Sequence, residues 1–191
     1  MKKTALIFME FQNDFFGKNG KLGMYQEDDD FVTNARKILD SAREKGQLVI
    51  HVNLAFSSEF EELREDVDGI LSLVRQKKAF QEKSDGVQAI HSMLPMANEP
   101  CIFKHSISAF ERTSLEETLK TRGIENVIFL GLISNVCMES SIRSAYDKGF
   151  RVFAIRDASH GLNDKVHEHA MSQTIPLFAT VKDTAEFLNQ Q

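Results

Sequence analysis

The stretch Val127-Ile128-Phe129-Leu130-Gly131-Leu132-Ile133-Ser134-Asn135-Val136-Cys137 decides how the rest of the chain is read. Its first four residues form a continuous apolar run, the pattern of a strand buried on both faces. An amphipathic helical pattern follows from Met138 to Asp147, closed by the turn signal Lys148-Gly149, and a second apolar run, Arg151-Val152-Phe153-Ala154-Ile155, comes directly after. A helix that ends on glycine and feeds straight into a strand is the repeating unit of a doubly wound sheet.

The same unit recurs outward in both directions. Toward the N-terminus lie the apolar runs Ala5-Leu6-Ile7-Phe8-Met9, Gln47-Leu48-Val49-Ile50-His51-Val52 and Cys101-Ile102-Phe103; toward the C-terminus lies Phe178-Ala179-Thr180-Val181. Helices are predicted over about 30–45, 112–122, 136–148, 164–173 and 183–190, with Lys45-Gly46 and Arg122-Gly123 as further stop signals. The expected fold is α/β, a three-layer, Rossmann-like, mostly parallel six-stranded sheet with helices on both faces. With 191 residues and no low-complexity linker or repeat, one domain over 1–191 is expected. The stretch 55–84 breaks the rhythm: it is charged, carries Phe56, Phe60 and Phe80 at wide spacing, and is too long for a simple connection. It reads as an inserted helical segment near the site, either lying over it or standing solvated beside it.

Composition excludes several classes. The chain is 42% hydrophobic and 27% charged with a formal net charge of -5, and its basic residues are scattered among acids, so no nucleic-acid surface is expected. No apolar run approaches the ~20 residues that span a bilayer, and the run after Lys3 breaks at Glu10, so neither a membrane anchor nor a signal peptide is expected. Two cysteines, Cys101 and Cys137, make no disulfide framework, which suits a reducing cytoplasm.

In an open α/β sheet, ligands bind beyond the carboxyl ends of the strands, and three chemically complementary residues fall on that edge. Cys137 stands in the first turn of the predicted helix, where the helix dipole and free N–H groups favour a thiolate and can hold an oxyanion. Lys104 follows the strand Cys101-Ile102-Phe103, and Glu10 ends the first strand, placed to act as a general base. Taken singly, Cys137 is equally a small buried hydrophobe, and Lys104 and Glu10 are ordinary surface charges. Together on three strand ends they make a functional site the better reading.

These residues resemble the isochorismatase-like cysteine hydrolases, the superfamily that includes nicotinamidase and N-carbamoylsarcosine amidase. The run from Ala5 through Glu10-Phe11-Gln12-Asn13-Asp14-Phe15 is similar to the family's opening strand and D-x-Q-N-D-F motif. Lys104-His105-Ser106-Ile107-Ser108-Ala109-Phe110, with Thr113 and Leu115, is similar to its lysine motif. Gly131 to Cys137, with Glu139, Ser141, Arg143, Ala145, Asp147 and Gly149, is similar to its cysteine motif, and Asp157-Ala158 to the end of the next strand. The resemblance implies a triad of Cys137 as nucleophile, Lys104 and Glu10 as proton acceptor. It implies an oxyanion hole from the N–H groups of Ile133 and Cys137, a cis peptide between Leu132 and Ile133, and a substrate pocket with Phe15 and Phe110. The implied reaction is acyl transfer from a small amide or ureido compound through a thioester, in a homo-oligomer with a small-molecule substrate as its partner.

Two departures accompany the resemblance. Glu10 stands where the family motif carries Asp, one methylene longer, in a setting where ~1 Å matters to catalysis. His51-Val52-Asn53-Leu54-Ala55 lacks the Asp-x-His of metal-binding nicotinamidases, so no metal and no cofactor are expected. The other histidines carry little signal: His167 and His169 read as a surface pair, His105 and His160 as neighbours of the edge without a role, and Asp14 and Arg143 as structural groups. Isochorismatase-type ether hydrolysis is the alternative chemistry, disfavoured because that branch does not use the cysteine. A catalytically impaired binding protein with an altered acid is the alternative of another class.

Overall fold

The computed structural model describes residues 3–189; the ends of the 1–191 domain reading and the last position of the helix expected over 183–190 lie outside the described residues. Six strands form one sheet: β1 (Thr4–Met9), β2 (Leu48–Leu54), β3 (Cys101–Lys104), β4 (Asn126–Gly131), β5 (Arg151–Ser159) and β6 (Thr180–Lys182). Their order is β3-β2-β1-β4-β5-β6, and every neighbouring pair is parallel. The sheet expected to be mostly parallel is therefore entirely so among the described residues. The winding reverses between β1 and β4, so the crevice at their carboxyl ends is the switch point where such sheets hold ligands.

Burial explains why β1 reads as an unbroken apolar run. Leu6 and Phe8 face one core with Ala35, Ile38 and Leu39 of helix α1 (Asp30–Glu44). Ala5, Ile7 and Met9 face a second core on the other side of the sheet. There they share an apolar layer with helices lying beyond α2 (Ile70–Lys77): Leu115 and Leu119 of α3 (Leu115–Thr121) and Ile142 of α4 (Glu139–Asp147). Two further helices, α5 (Asp164–His169) and α6 (Thr184–Asn189), flank β6 in sequence. Alternation of side chains across the pleat thus feeds two cores, which makes the fold three-layered.

Helix boundaries differ from the sequence reading where the backbone turns left-handed. α3 begins at Leu115 rather than 112 because Arg112 has φ +55°. The 55–84 segment is helical only over Ile70–Lys77, since Phe60, Lys78, Phe80 and Lys83 all have positive φ. Its three phenylalanines are core residues instead. Phe56, Phe60 and Phe80 are buried, and Phe56 exchanges backbone hydrogen bonds with Phe80 and Glu82 at 2.9 and 2.7 Å. The last strand starts at Thr180 because a tight helical turn occupies Ile175–Leu177.

One glycine fixes the switch point. Gly131 closes β4 at φ +112°, and a Cβ there would stand 2.3 Å from the Met9 carbonyl oxygen and 2.8 Å from the Phe11 ring. Gly131→Ala is expected to lower stability by at least ~2 kcal/mol through strain and clash. Urea unfolding should show a lower midpoint at an unchanged slope; an unshifted midpoint would contradict the tight approach of β1 and β4.

Candidate active site

Glu10, Lys104 and Cys137 meet at the switch point. Glu10 directly follows β1, with φ +60° and its N–H bonded to Val52 O at 2.8 Å, which turns its side chain off the strand path. Lys104, the last residue of β3 rather than the residue after it, is fully buried, as is Glu10. Its ammonium lies 2.8 Å from Glu10 Oε1 and 3.5 Å from Cys137 Sγ, and donates to the carbonyls of Ser106 at 2.6 Å and Ile107 at 3.0 Å. The Glu10 contact is a fully buried ion pair, with the ammonium shared among the carboxylate, the two carbonyls and the sulfur. Removing either member of a buried pair leaves the other uncompensated, at about 3–5 kcal/mol.

Cys137 does not sit in an ordinary first helical turn. Ser134–Met138 forms a widened, π-helical turn, in which the Met138 N–H reaches back five residues to Ile133 O at 3.2 Å. Turns of this kind recur at functional sites. The widening buries the sulfur, leaving Cys137 3% exposed. Ser141, one turn further on, bonds to Cys137 O at 2.6 Å and accepts the Ala109 N–H at 2.8 Å, tying the cysteine turn to the loop after Lys104. That role was visible only as the four-residue spacing from Cys137 to Ser141, and the sequence reading gave Ser141 none.

The electrostatics correct the expectation of a preformed thiolate. Burial and the negative charge of Glu10 outweigh the pull of Lys104 and push the Cys137 thiol up to about 12. For Lys104, burial disfavours the ammonium, but the negative charges of Cys137 and Glu10 prevail and hold its pKa above the usual lysine value. The resting pair is therefore a thiol beside a carboxylate, with a cation binding both.

The Leu132–Ile133 peptide is cis, where the resemblance implies one. Its neighbours are committed, Leu132 N–H to Met9 O at 3.0 Å and Ser134 N–H to His160 O at 2.8 Å. The Ile133 N–H between them meets no acceptor among the described residues, and Ile133 and Cys137 both line one cavity. A cavity of about 100 Å³ opens over this group, lined by Glu10, Cys137, Phe15, Leu54, Val74 and Ile107 among others. Larger surface grooves, such as the one of about 670 Å³ along the Gly17–Gly20 loop, do not touch the triad.

Phe110 is corrected: it packs against Phe150 at a centroid distance of 6.2 Å, in the core on the α3 and α4 side. The chain wraps Ser106 and Ile107 around the Lys104 ammonium, which puts Ile107 in the cavity and carries Phe110 past it. The 55–84 segment reaches the site, since Ile70, Leu71, Leu73 and Val74 of α2 line the cavity. His167 is corrected from a surface residue. It is half-buried, stacks on His160 with centroids 5.4 Å apart, and bonds through Nδ1 to Ser134 Oγ at 2.9 Å, whereas His169 is exposed. His105 braces the Ala55 carbonyl, and Asp14 accepts the N–H groups of Phe80 at 2.6 Å and Lys21 at 3.1 Å. Arg143 pairs with Glu139 at 2.8 Å. His51 pairs with Glu99 at 2.9 Å, away from the triad. Among the described residues, no group of three or more metal-ligating side chains is present, and no helix is long and apolar enough to cross a membrane.

Comparison with known proteins gives the family and the fold. The isochorismatase domain family matches residues 4–186. The isochorismatase family protein YddQ of Bacillus subtilis is 28% identical over 195 residues, spanning 97% of this chain and 98% of its own. The ureidoacrylate amidohydrolase RutB of Rhizobium rhizogenes is 25% identical over 207 residues, spanning 98% of this chain and 84% of its own. A solved cysteine hydrolase from Pseudomonas syringae pv. phaseolicola shares the fold, with a TM-score of 0.89 at 23% identity over 98% of this chain and 92% of that one.

The raised thiol is measurable. In a Cys101→Ser background, the alkylation rate of Cys137 should keep rising well above the ordinary thiol range, toward a midpoint of about 12. Glu10→Gln removes a negative charge and should lower that midpoint; Lys104→Met should raise it. Because the folded thiol keeps its proton more tightly than the unfolded one, its contribution to stability is complete below the unfolded pKa and is lost as pH climbs toward the folded value. A midpoint near the ordinary ~8.5 would refute this electrostatic picture.

Proposed function

The chain belongs to the isochorismatase domain family and is a hydrolase, and from that premise we propose that it cleaves the C–N bond of a small amide or ureido compound through a thioester on Cys137. One observation carries the proposal: a buried ammonium 2.8 Å from a carboxylate and 3.5 Å from a thiol, both of which belong to residues lining a small cavity. The relative named as a ureidoacrylate amidohydrolase supports the same bond type.

The chemistry follows from the charges. As the sulfur attacks the carbonyl carbon, its proton passes to Glu10, so the thiol's high affinity for that proton is no obstacle to reaction. The S–C bond forms, and the carbonyl oxygen becomes an oxyanion facing the Ile133 and Cys137 N–H groups. Lys104 stays protonated and offsets the charge that develops on sulfur. When the C–N bond breaks, the leaving nitrogen takes the proton from Glu10. Water then attacks the thioester, giving a proton back to Glu10, and the C–S bond breaks to regenerate the thiol.

Cys137→Ser and Glu10→Gln should each lower kcat/KM for amide hydrolysis by about 1,000-fold or more, since both groups act in one step. Glu10→Asp draws the carboxylate back by more than ~1 Å and should cost about 100-fold. Ammonia release gives the rates, and mass spectrometry of a quenched reaction should show an acyl adduct on Cys137. Full activity in Cys137→Ser would end the thioester mechanism, and full activity in Glu10→Asp would show that the carboxylate tolerates the shorter arm.

A further inference from the structure

We infer that the substrate is an uncharged aliphatic carboxamide with a compact hydrocarbon body, an assignment that rests on the proposed attack by Cys137. Apart from Glu10 and Cys137, every residue lining the cavity is apolar. No Lys, Arg or His among them offers a counter-charge to a substrate carboxylate. The one cation nearby, Lys104, is already committed to Ser106 O, Ile107 O, Cys137 Sγ and Glu10. An anionic substrate would therefore bring an unpaired charge into a hydrocarbon pocket beside an existing carboxylate, which is strongly unfavourable. A cationic substrate fares no better, because the charge of Glu10 is engaged by Lys104. A ureidoacrylate, the compound in the name of the Rhizobium relative, carries such a carboxylate and is disfavoured here.

Size narrows the class further. An engineered hydrocarbon cavity of about 150 Å³ holds the six carbons of benzene, so the roughly 100 Å³ here encloses about four non-hydrogen atoms, the amide and its first carbon, and the rest of a short hydrocarbon body lies in the mouth. The mouth continues the same chemistry: Met24, Leu73 and Leu162 line it and are 38%, 44% and 43% exposed. Large apolar side chains held partly in water at a cavity entrance receive a hydrocarbon tail better than a charged one. Val74, buried on the inner face of α2, sets the depth of the pocket.

The test uses a pair of substrates matched in shape. Isovaleramide and malonamate differ only in that two methyl groups are replaced by two carboxylate oxygens. The products of hydrolysis are the carboxylic acid and ammonia, with water as the only co-reactant. Wild-type protein should show a kcat/KM for isovaleramide at least about 100-fold above that for malonamate, as expected for an unpaired charge in an apolar site. In Cys137→Ser, calorimetry should detect isovaleramide binding and none, or far weaker, for malonamate. Val74→Ala should move the preference toward longer amides without rescuing malonamate. Equal or faster turnover of malonamate overturns the inference while leaving the hydrolase reading intact. Isovaleramide binding without ammonia release or an acyl adduct keeps the ligand class and removes the hydrolase reading. Neither binding nor turnover of any neutral amide overturns the inference outright.

Discussion

The burial of one ammonium decides most of what is unusual about this chain. A lysine with no exposed surface is tolerated only when its charge and its donors are all met, because the effective desolvation penalty is several kcal/mol per ion. Lys104 meets that condition with two backbone carbonyls, a carboxylate and a sulfur drawn from three different strand ends. To supply the carbonyls, the chain after β3 must curl at Ser106 and Ile107. To supply the carboxylate, Glu10 must leave β1 with φ +60°, a conformation that costs a non-glycine residue roughly 1–2 kcal/mol. To supply the sulfur, the start of the next helix must widen into a π-helical turn. The irregular backbone at the sheet edge is thus the local answer to a single electrostatic demand.

What could be read in the sequence follows from whether the signal is local. The strand runs announced themselves because a strand buried on both faces has no polar alternation to hide it, and β1 illustrates this with every residue from Ala5 to Met9 buried. Glu10, Lys104 and Cys137 were legible because charged or nucleophilic residues stood at the ends of such runs. The 55–84 segment was legible only in part. One of its two readings put it at the site, and α2 lines the cavity, but four positive-φ residues confine the helix to Ile70–Lys77, and its phenylalanines anchor it into the core. Phe110 was misplaced because its position depends on how tightly the chain wraps the Lys104 ammonium, a tertiary constraint that spacing does not encode. His167 carried no mark either, since its partners, Ser134 and His160, become neighbours only once β4 and β5 pair.

The helix-start argument for the cysteine failed for an instructive reason. A helix N-terminus stabilises a thiolate by amounts of the order of 1 kcal/mol when exposed, whereas complete burial and an adjacent carboxylate act in the opposite direction and prevail. Position along a helix is visible in sequence; burial depth and the facing charge are not. Sequence therefore located the cysteine but not the burial and the facing charge that hold its proton.

That protonation state constrains how the site can work. A thiol held near 12 has almost no thiolate at neutral pH, so attack by a preformed anion would be slow. On the proposed mechanism the proton leaves as the S–C bond forms, to an acceptor already in place. In that proposal Glu10 is the acceptor, buried beside the thiol with its charge held in place by Lys104 at 2.8 Å. A buried, protonated thiol resists alkylation and oxidation. On the proposed mechanism, reactivity therefore belongs to the complex with substrate, where a carbonyl in the cavity makes the proton transfer favourable, rather than to the free cysteine.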